Sequence, residues 1–134
     1  MAEGKVKANG VELWWEDFGD RSNPTVLLIV GAIAPALEWT PEFYEPLVDA
    51  GYHVVRFDNR DIGLSTWIDY EKAPYDLNDM ATDTVSLMSE LGIHRTHVIG
   101  VSMGGMIAQL VALDYPEHVQ SLTPIMSTPG YGDP

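Results

Sequence analysis

The stretch Val98-Ile99-Gly100-Val101-Ser102-Met103-Gly104-Gly105 decides the fold of this chain. Residues 96–101 are rich in β-branched side chains and read as a strand. Residues 103–114, with Met106, Ile107, Leu110 and Val111, read as a helix that Pro116 ends. Between them lies Gly-x-Ser-x-Gly. As five letters the pattern is common, and a glycine-flanked serine often only turns a chain. A strand before it and a helix after it make it a nucleophile elbow, a turn so sharp that the residues two before and two after the serine approach each other closely. Gly100 and Gly104 lack the Cβ atoms that would collide there. A helix starting at Ser102 turns its N-terminal N–H groups and positive dipole end toward the place where an oxyanion would form.

Moving outward, residues 25–30 are uninterrupted and mostly β-branched, as expected for a central strand covered on both faces. They run into Gly31-Ala32-Ile33-Ala34. Gly31 either simply ends a strand or lets a loop pass close to a ligand at the C-terminal edge, where open α/β sheets bind their ligands. Residues 5–8 and 11–18 flank Asn9-Gly10, a two-residue hairpin signal. In the second run Val11, Leu13 and Trp15 alternate with Glu12, Trp14 and Glu16, which predicts one buried face. Thr40-Pro41 open a helix that Gly51 closes, and Pro46 predicts a kink or short turn before Leu47.

Residues 52–57 form the next strand, followed by the polar loop Asp58-Asn59-Arg60-Asp61-Ile62-Gly63-Leu64-Ser65. Its Arg and Asp side chains are expected to lock loops together rather than act on a substrate. Residues 78–91 read as an amphipathic helix with Met80, Thr84, Leu87, Met88 and Leu91 on one face and Gly92 as its cap; the methionine pair reads as core. Residues 121–126 give a last strand. Right-handed crossovers then produce an α/β fold: a doubly wound, mostly parallel sheet of about six strands with an N-terminal hairpin and helices on both faces. Residues 1–134 are expected to form one domain.

Composition bounds the partners. A net charge of −13 with only seven Lys and Arg argues against nucleic acid and anionic membrane, both bound through clustered basic residues. The chain has no cysteine, so disulfides, thiolate metal sites and cysteine catalysis are excluded. Nothing in the sequence calls for a cofactor or a metal. The start of the chain shows no leader and no apolar run is long enough to span a bilayer, so a cytoplasmic protein is expected.

Four segments carry a resemblance: Val11-Glu12-Leu13-Trp14, Asp17-Phe18-Gly19-Asp20, Arg56-Phe57-Asp58-Asn59-Arg60-Asp61-Ile62-Gly63-Leu64-Ser65-Thr66, and His97-Val98-Ile99-Gly100-Val101-Ser102-Met103-Gly104-Gly105. The chain resembles the N-terminal half of an α/β-hydrolase, and is similar to the bacterial esterases of the aclacinomycin methylesterase type. The resemblance implies that Ser102 is the acyl-accepting nucleophile and that the backbone N–H groups of Met103 and Ala32 form the oxyanion hole. Val30 stands where the family usually has a histidine, which removes no backbone donor. It further implies hydrolysis of a small carboxylic ester. Members run to roughly twice this length, with a cap, the acid and the catalytic histidine after the sixth strand. A truncated core without those parts is therefore expected.

His53, His94, His97 and His118 all fall near the N-terminal ends of strands, whereas Ser102 sits at a C-terminal end. A base must come within about 3 Å of the serine, so none of the four is expected to serve. Asp58, Asp61 and Asp133 are the acidic residues placed at the active edge, and Trp39 and Trp67 could line an apolar pocket there or simply pack. Two further readings stay open: an inactive half of a larger hydrolase, or a cofactor-free haloperoxidase or perhydrolase using the same elbow. In each case the unpaired last strand predicts a homodimer or higher oligomer through the sheet edge.

Overall fold

Strand and helix patterns alternate along the chain, and a mostly parallel sheet with helices on both faces buries the apolar runs of its central strands. The computed structural model, which describes residues 2–128, has this arrangement. Asp133 and the end of the tail lie outside the described residues. The strands are β1 (Ala2–Ala8), β2 (Val11–Phe18), β3 (Thr25–Ile29), β4 (His53–Phe57), β5 (Thr96–Val101) and β6 (Val119–Ile125). The helices are α1 (Pro41–Asp49), α2 (Leu77–Glu90) and α3 (Met103–Asp114). Strand order is β1-β2-β4-β3-β5-β6, with β1, β2 and β4 paired antiparallel and β4, β3, β5 and β6 parallel.

The hairpin turn has Asn9 and Gly10 both at positive φ, 55° and 81°, as a two-residue turn matched to strand twist requires. On one face of the sheet α2 and α3 pack Leu87, Met88, Ile107 and Val111 over Leu27 and Val98. On the other, Tyr44 of α1 and Trp39 pack over Val26, Leu28 and Val54. Each fully buried aliphatic chain contributes about 1.5–3 kcal/mol, so the two clusters together supply the main drive to fold. Beyond α1 on that second face Ile99 and Val101 are half-buried, and β6 is a largely exposed edge strand among the described residues.

The structure corrects three expectations. β2 is buried on both faces, not one: Trp14 and Glu16 are as enclosed as Leu13 and Trp15. Glu16 is enclosed in a buried ion pair, in which it accepts from Arg56 Nε at 2.9 Å while the guanidinium lies over the rings of Phe18 and Tyr44. Helix α1 runs through Pro46 as one helix, so the short turn before Leu47 does not form. The carbonyl that Pro46 cannot bond is that of Glu42, which lies exposed in the first turn and open to water. Helix α2 begins one residue earlier than the apolar pattern suggests, because Asp76 caps it reciprocally with Asp79.

Strand order reverses around β3: the chain moves to one side for β4 and to the other for β5. The crevice beyond the C-terminal ends of β3 and β5 is the switch point at which such sheets hold ligands.

Candidate active site

Ser102 joins β5 to α3 at φ 54° and ψ −120°, a strained backbone for a residue with a side chain. The neighbouring glycines are required by space. A Cβ on Gly100 would lie 2.1 Å from the Gly104 carbonyl oxygen, and one on Gly104 would lie 2.2 Å from that of Ile29. Serine at a helix N-cap ordinarily accepts a bond from the first turn, but Ser102 does not. The residue is exposed, and its hydroxyl has no hydrogen-bond partner among the described residues.

The loop after β3 meets this turn. A Cβ on Gly31 would stand 3.3 Å from the Val101 carbonyl oxygen and 3.4 Å from Ser102 Cβ, so the two strand ends are in contact. Neither the Ala32 nor the Met103 N–H finds an acceptor among the described residues. Ala32 and Met103 both line one cleft of about 600 Å³, whose walls include Ile33, Tyr70, Tyr75 and Met80. Ile33 sits at φ 60°, a conformation that costs a β-branched residue of order 1–3 kcal/mol. An unbonded hydroxyl, two unpaired N–H groups and an apolar cleft thus occupy one edge.

The acidic residues at that edge are engaged in structure. Asp58 accepts from the Ala36 N–H at 2.7 Å and from the Leu64 N–H at 3.0 Å. Gly63 is a glycine for the same reason: at φ 53° its Cβ would stand 2.3 Å from the Asp58 carboxylate. Asp61 accepts from the Ile68 N–H and from the Tyr75 hydroxyl. Burial first, then the bond to Asp61 and its charge, push the Tyr75 phenol up to about 12. Arg60 is held by Asp83 through two bonds of 2.6 and 2.7 Å, and Asp83 also accepts from Asn9 of the hairpin turn. These side chains lock loops, as the sequence indicates.

The four histidines lie at the other end of the strands. His53 is buried between Thr25 at 2.9 Å and Asp17 at 2.7 Å. His97 bonds Ser121, and His118 bonds the carbonyl oxygen of His94. His97 is the second residue of β5, and the strand between it and Ser102 spans about 16 Å. Trp39 is buried in the core beneath α1, whereas Trp67 is exposed and donates to the Gly63 carbonyl. Among the described residues no three His, Asp or Glu side chains converge as metal ligands.

One feature carries no signal in the motif. Ser127, just after β6, donates a 2.7 Å bond to the Ser102 carbonyl oxygen. The pair Gly104-Gly105 is visible in the sequence, and the second glycine stands against Ser127 as well as against the elbow's Gly100 carbonyl.

Comparison with known proteins shows the family of the chain. Residues 24–132 match the model of the alpha/beta hydrolase fold family. The chain is 40% identical over 123 residues to rhodomycin D methylesterase DauP of Streptomyces sp. (strain C5), a match covering 92% of this chain and 41% of that protein. Among solved structures it is similar to epoxide hydrolase A from Mycobacterium thermoresistibile, with a TM-score of 0.84 and 32% identity over 92% of this chain and 38% of that one. It is also similar to a bacterial membrane phospholipase A, with a TM-score of 0.86 and 35% identity over 95% of this chain and 40% of that one. The chain therefore spans about two fifths of the length of each.

Proposed function

The chain belongs to the α/β-hydrolase fold family, and on that premise we propose that it carries the nucleophile and oxyanion hole of a carboxylic ester hydrolase. In this reading Ser102 Oγ attacks the ester carbonyl, and the oxyanion that develops is held by the N–H groups of Ala32 and Met103. The alcohol leaves with a proton, and water then releases the acid from the acyl-serine. The observation that supports this most is the unbonded hydroxyl of Ser102 on a strained turn, beside two N–H groups without acceptors. Donors fixed in advance need no reorganisation as charge develops, and each is worth about 3–4 kcal/mol in comparable sites.

The proton of Ser102 needs an acceptor within about 3 Å, directly or through one water. No histidine among the described residues lies at that edge, and Asp58 and Asp61 already accept hydrogen bonds at each carboxylate oxygen. The reading therefore requires a base from outside residues 2–128. Methyl esters are the first substrates to try, since DauP is named a methylesterase. The test is turnover of a short-chain p-nitrophenyl ester by the full chain. Ser102→Ala is expected to remove every turnover that passes through an acyl-serine.

A further inference from the structure

We infer that Ser127 is a positioning residue for the oxyanion hole, and that Gly105 is a glycine in order to admit it. The inference rests on the reading of Ser102 as nucleophile.

A strained residue persists only where its surroundings over-determine it. Gly100 and Gly104 permit the Ser102 conformation but do not hold it. The first turn of α3 holds its carbonyl, and the end of β6 adds a bond to each main-chain group of Ser102. The Ser102 N–H donates to the Ile125 carbonyl at 2.9 Å, and the Ser102 carbonyl accepts from the Ser127 hydroxyl at 2.7 Å. These two partners flank Met126, an 83% exposed residue that turns the chain at φ 48°. The turn lets residues 125 and 127 address the same neighbour.

The carbonyl that Ser127 holds belongs to the same planar peptide unit as the Met103 N–H. Fixing its oxygen therefore fixes the direction of that N–H. A donor on the carbonyl side also polarises the unit, which strengthens the N–H as a donor in turn. The carbonyl accepts from the Gly105 N–H at 2.9 Å and the Met106 N–H at 3.3 Å as well, but those bonds only begin the helix. Ser127 adds a side chain from another element.

The neighbourhood is built around this contact. A Cβ on Gly105 would stand 2.4 Å from Ser127 Cβ and 2.5 Å from its hydroxyl oxygen, and less severely 3.2 Å from the Gly100 carbonyl oxygen. Any other residue at 105 would expel the serine. Gln109, one turn further along α3, donates to the Gly105 carbonyl at 3.1 Å and to the Thr128 carbonyl at 3.0 Å, tying the next residue to the same helix. Segment 125–128 is thus fastened to the elbow by backbone, hydroxyl and amide.

The test measures kcat and KM of the full chain for a p-nitrophenyl ester, normalised to active sites titrated with a fluorophosphonate, for wild type, Ser127→Ala and Ser127→Cys. The expected result is a kcat per titrated site about tenfold lower in Ser127→Ala, with KM within about twofold. Inhibition by a trifluoromethyl ketone, which forms an oxyanion on the enzyme, weakens in parallel. Ser127→Cys, a weaker donor in nearly the same space, falls between the two. A purely structural role would reduce the titrated fraction and leave kcat per site intact, and that result overturns the inference. A wild type without Ser102-dependent turnover would instead sink the esterase reading itself, and the oxyanion role of Ser127 with it.

Discussion

Two loops leave the C-terminal edge of the sheet from strands on either side of β3, and they use polar residues in opposite ways. After β4, Asp58, Arg60, Asp61 and Ser65 are enclosed or half-enclosed, and each holds a partner, Asp61 within its own loop and the others on another segment. After β5, Ser102 is exposed with its hydroxyl unbonded, although its backbone is gripped on both sides. Both loops contain residues at positive φ, Asp61 at 69° and Ser102 at 54°. Strain alone therefore does not mark a reactive group. What separates them is whether the side chain already has a partner.

The largest effect that would sharpen this contrast lies in the first loop. Arg60→Ala leaves Asp83 buried without its guanidinium, and a stability loss of about 3–5 kcal/mol is expected in urea unfolding. If Arg60→Ala unfolds at nearly the wild-type midpoint, the loop is not locked as described. In the second loop the sign reverses. Ser102→Gly removes the strain without removing a side-chain bond, so stability should rise by about 1 kcal/mol while turnover disappears. A destabilised Ser102→Gly would mean that the hydroxyl has a structural role.

The smallest effect concerns pH. Asp17, at the opposite edge, is raised by burial, but bonds from His53, the Ala2 N–H and Arg21 outweigh this and hold its carboxyl below the ordinary range. Its folded pKa thus lies below its unfolded one, so its contribution is present above about pH 4 and is lost as pH falls through the folded value. Asp17→Asn should flatten the decline in stability below pH 4. An unchanged acid slope would contradict this sign.

Much of the fold was legible because β-branched runs, the Asn9-Gly10 turn and the two elbow glycines are local signals. The hydroxyl's freedom was not legible, since it depends on what Ser102 declines to bond. Nor was the burial of Glu16, because its partner Arg56 arrives from β4, forty residues away. Pro46 misled for a related reason: its unpaired acceptor belongs to an exposed first turn, where a missing bond costs little. Ser127 lay beyond any motif, and its trace was Gly105, where a Cβ would meet Ser127 as well as the elbow's Gly100 carbonyl.

The central claim is that Ser102 is the reactive group and its acidic neighbours are structural. The most direct measurement compares p-nitrophenyl ester turnover by wild type and Ser102→Ala, with both shown to be folded by circular dichroism. Repeated turnover by the wild type alone is the expected result; equal turnover, or none by either, would contradict the claim.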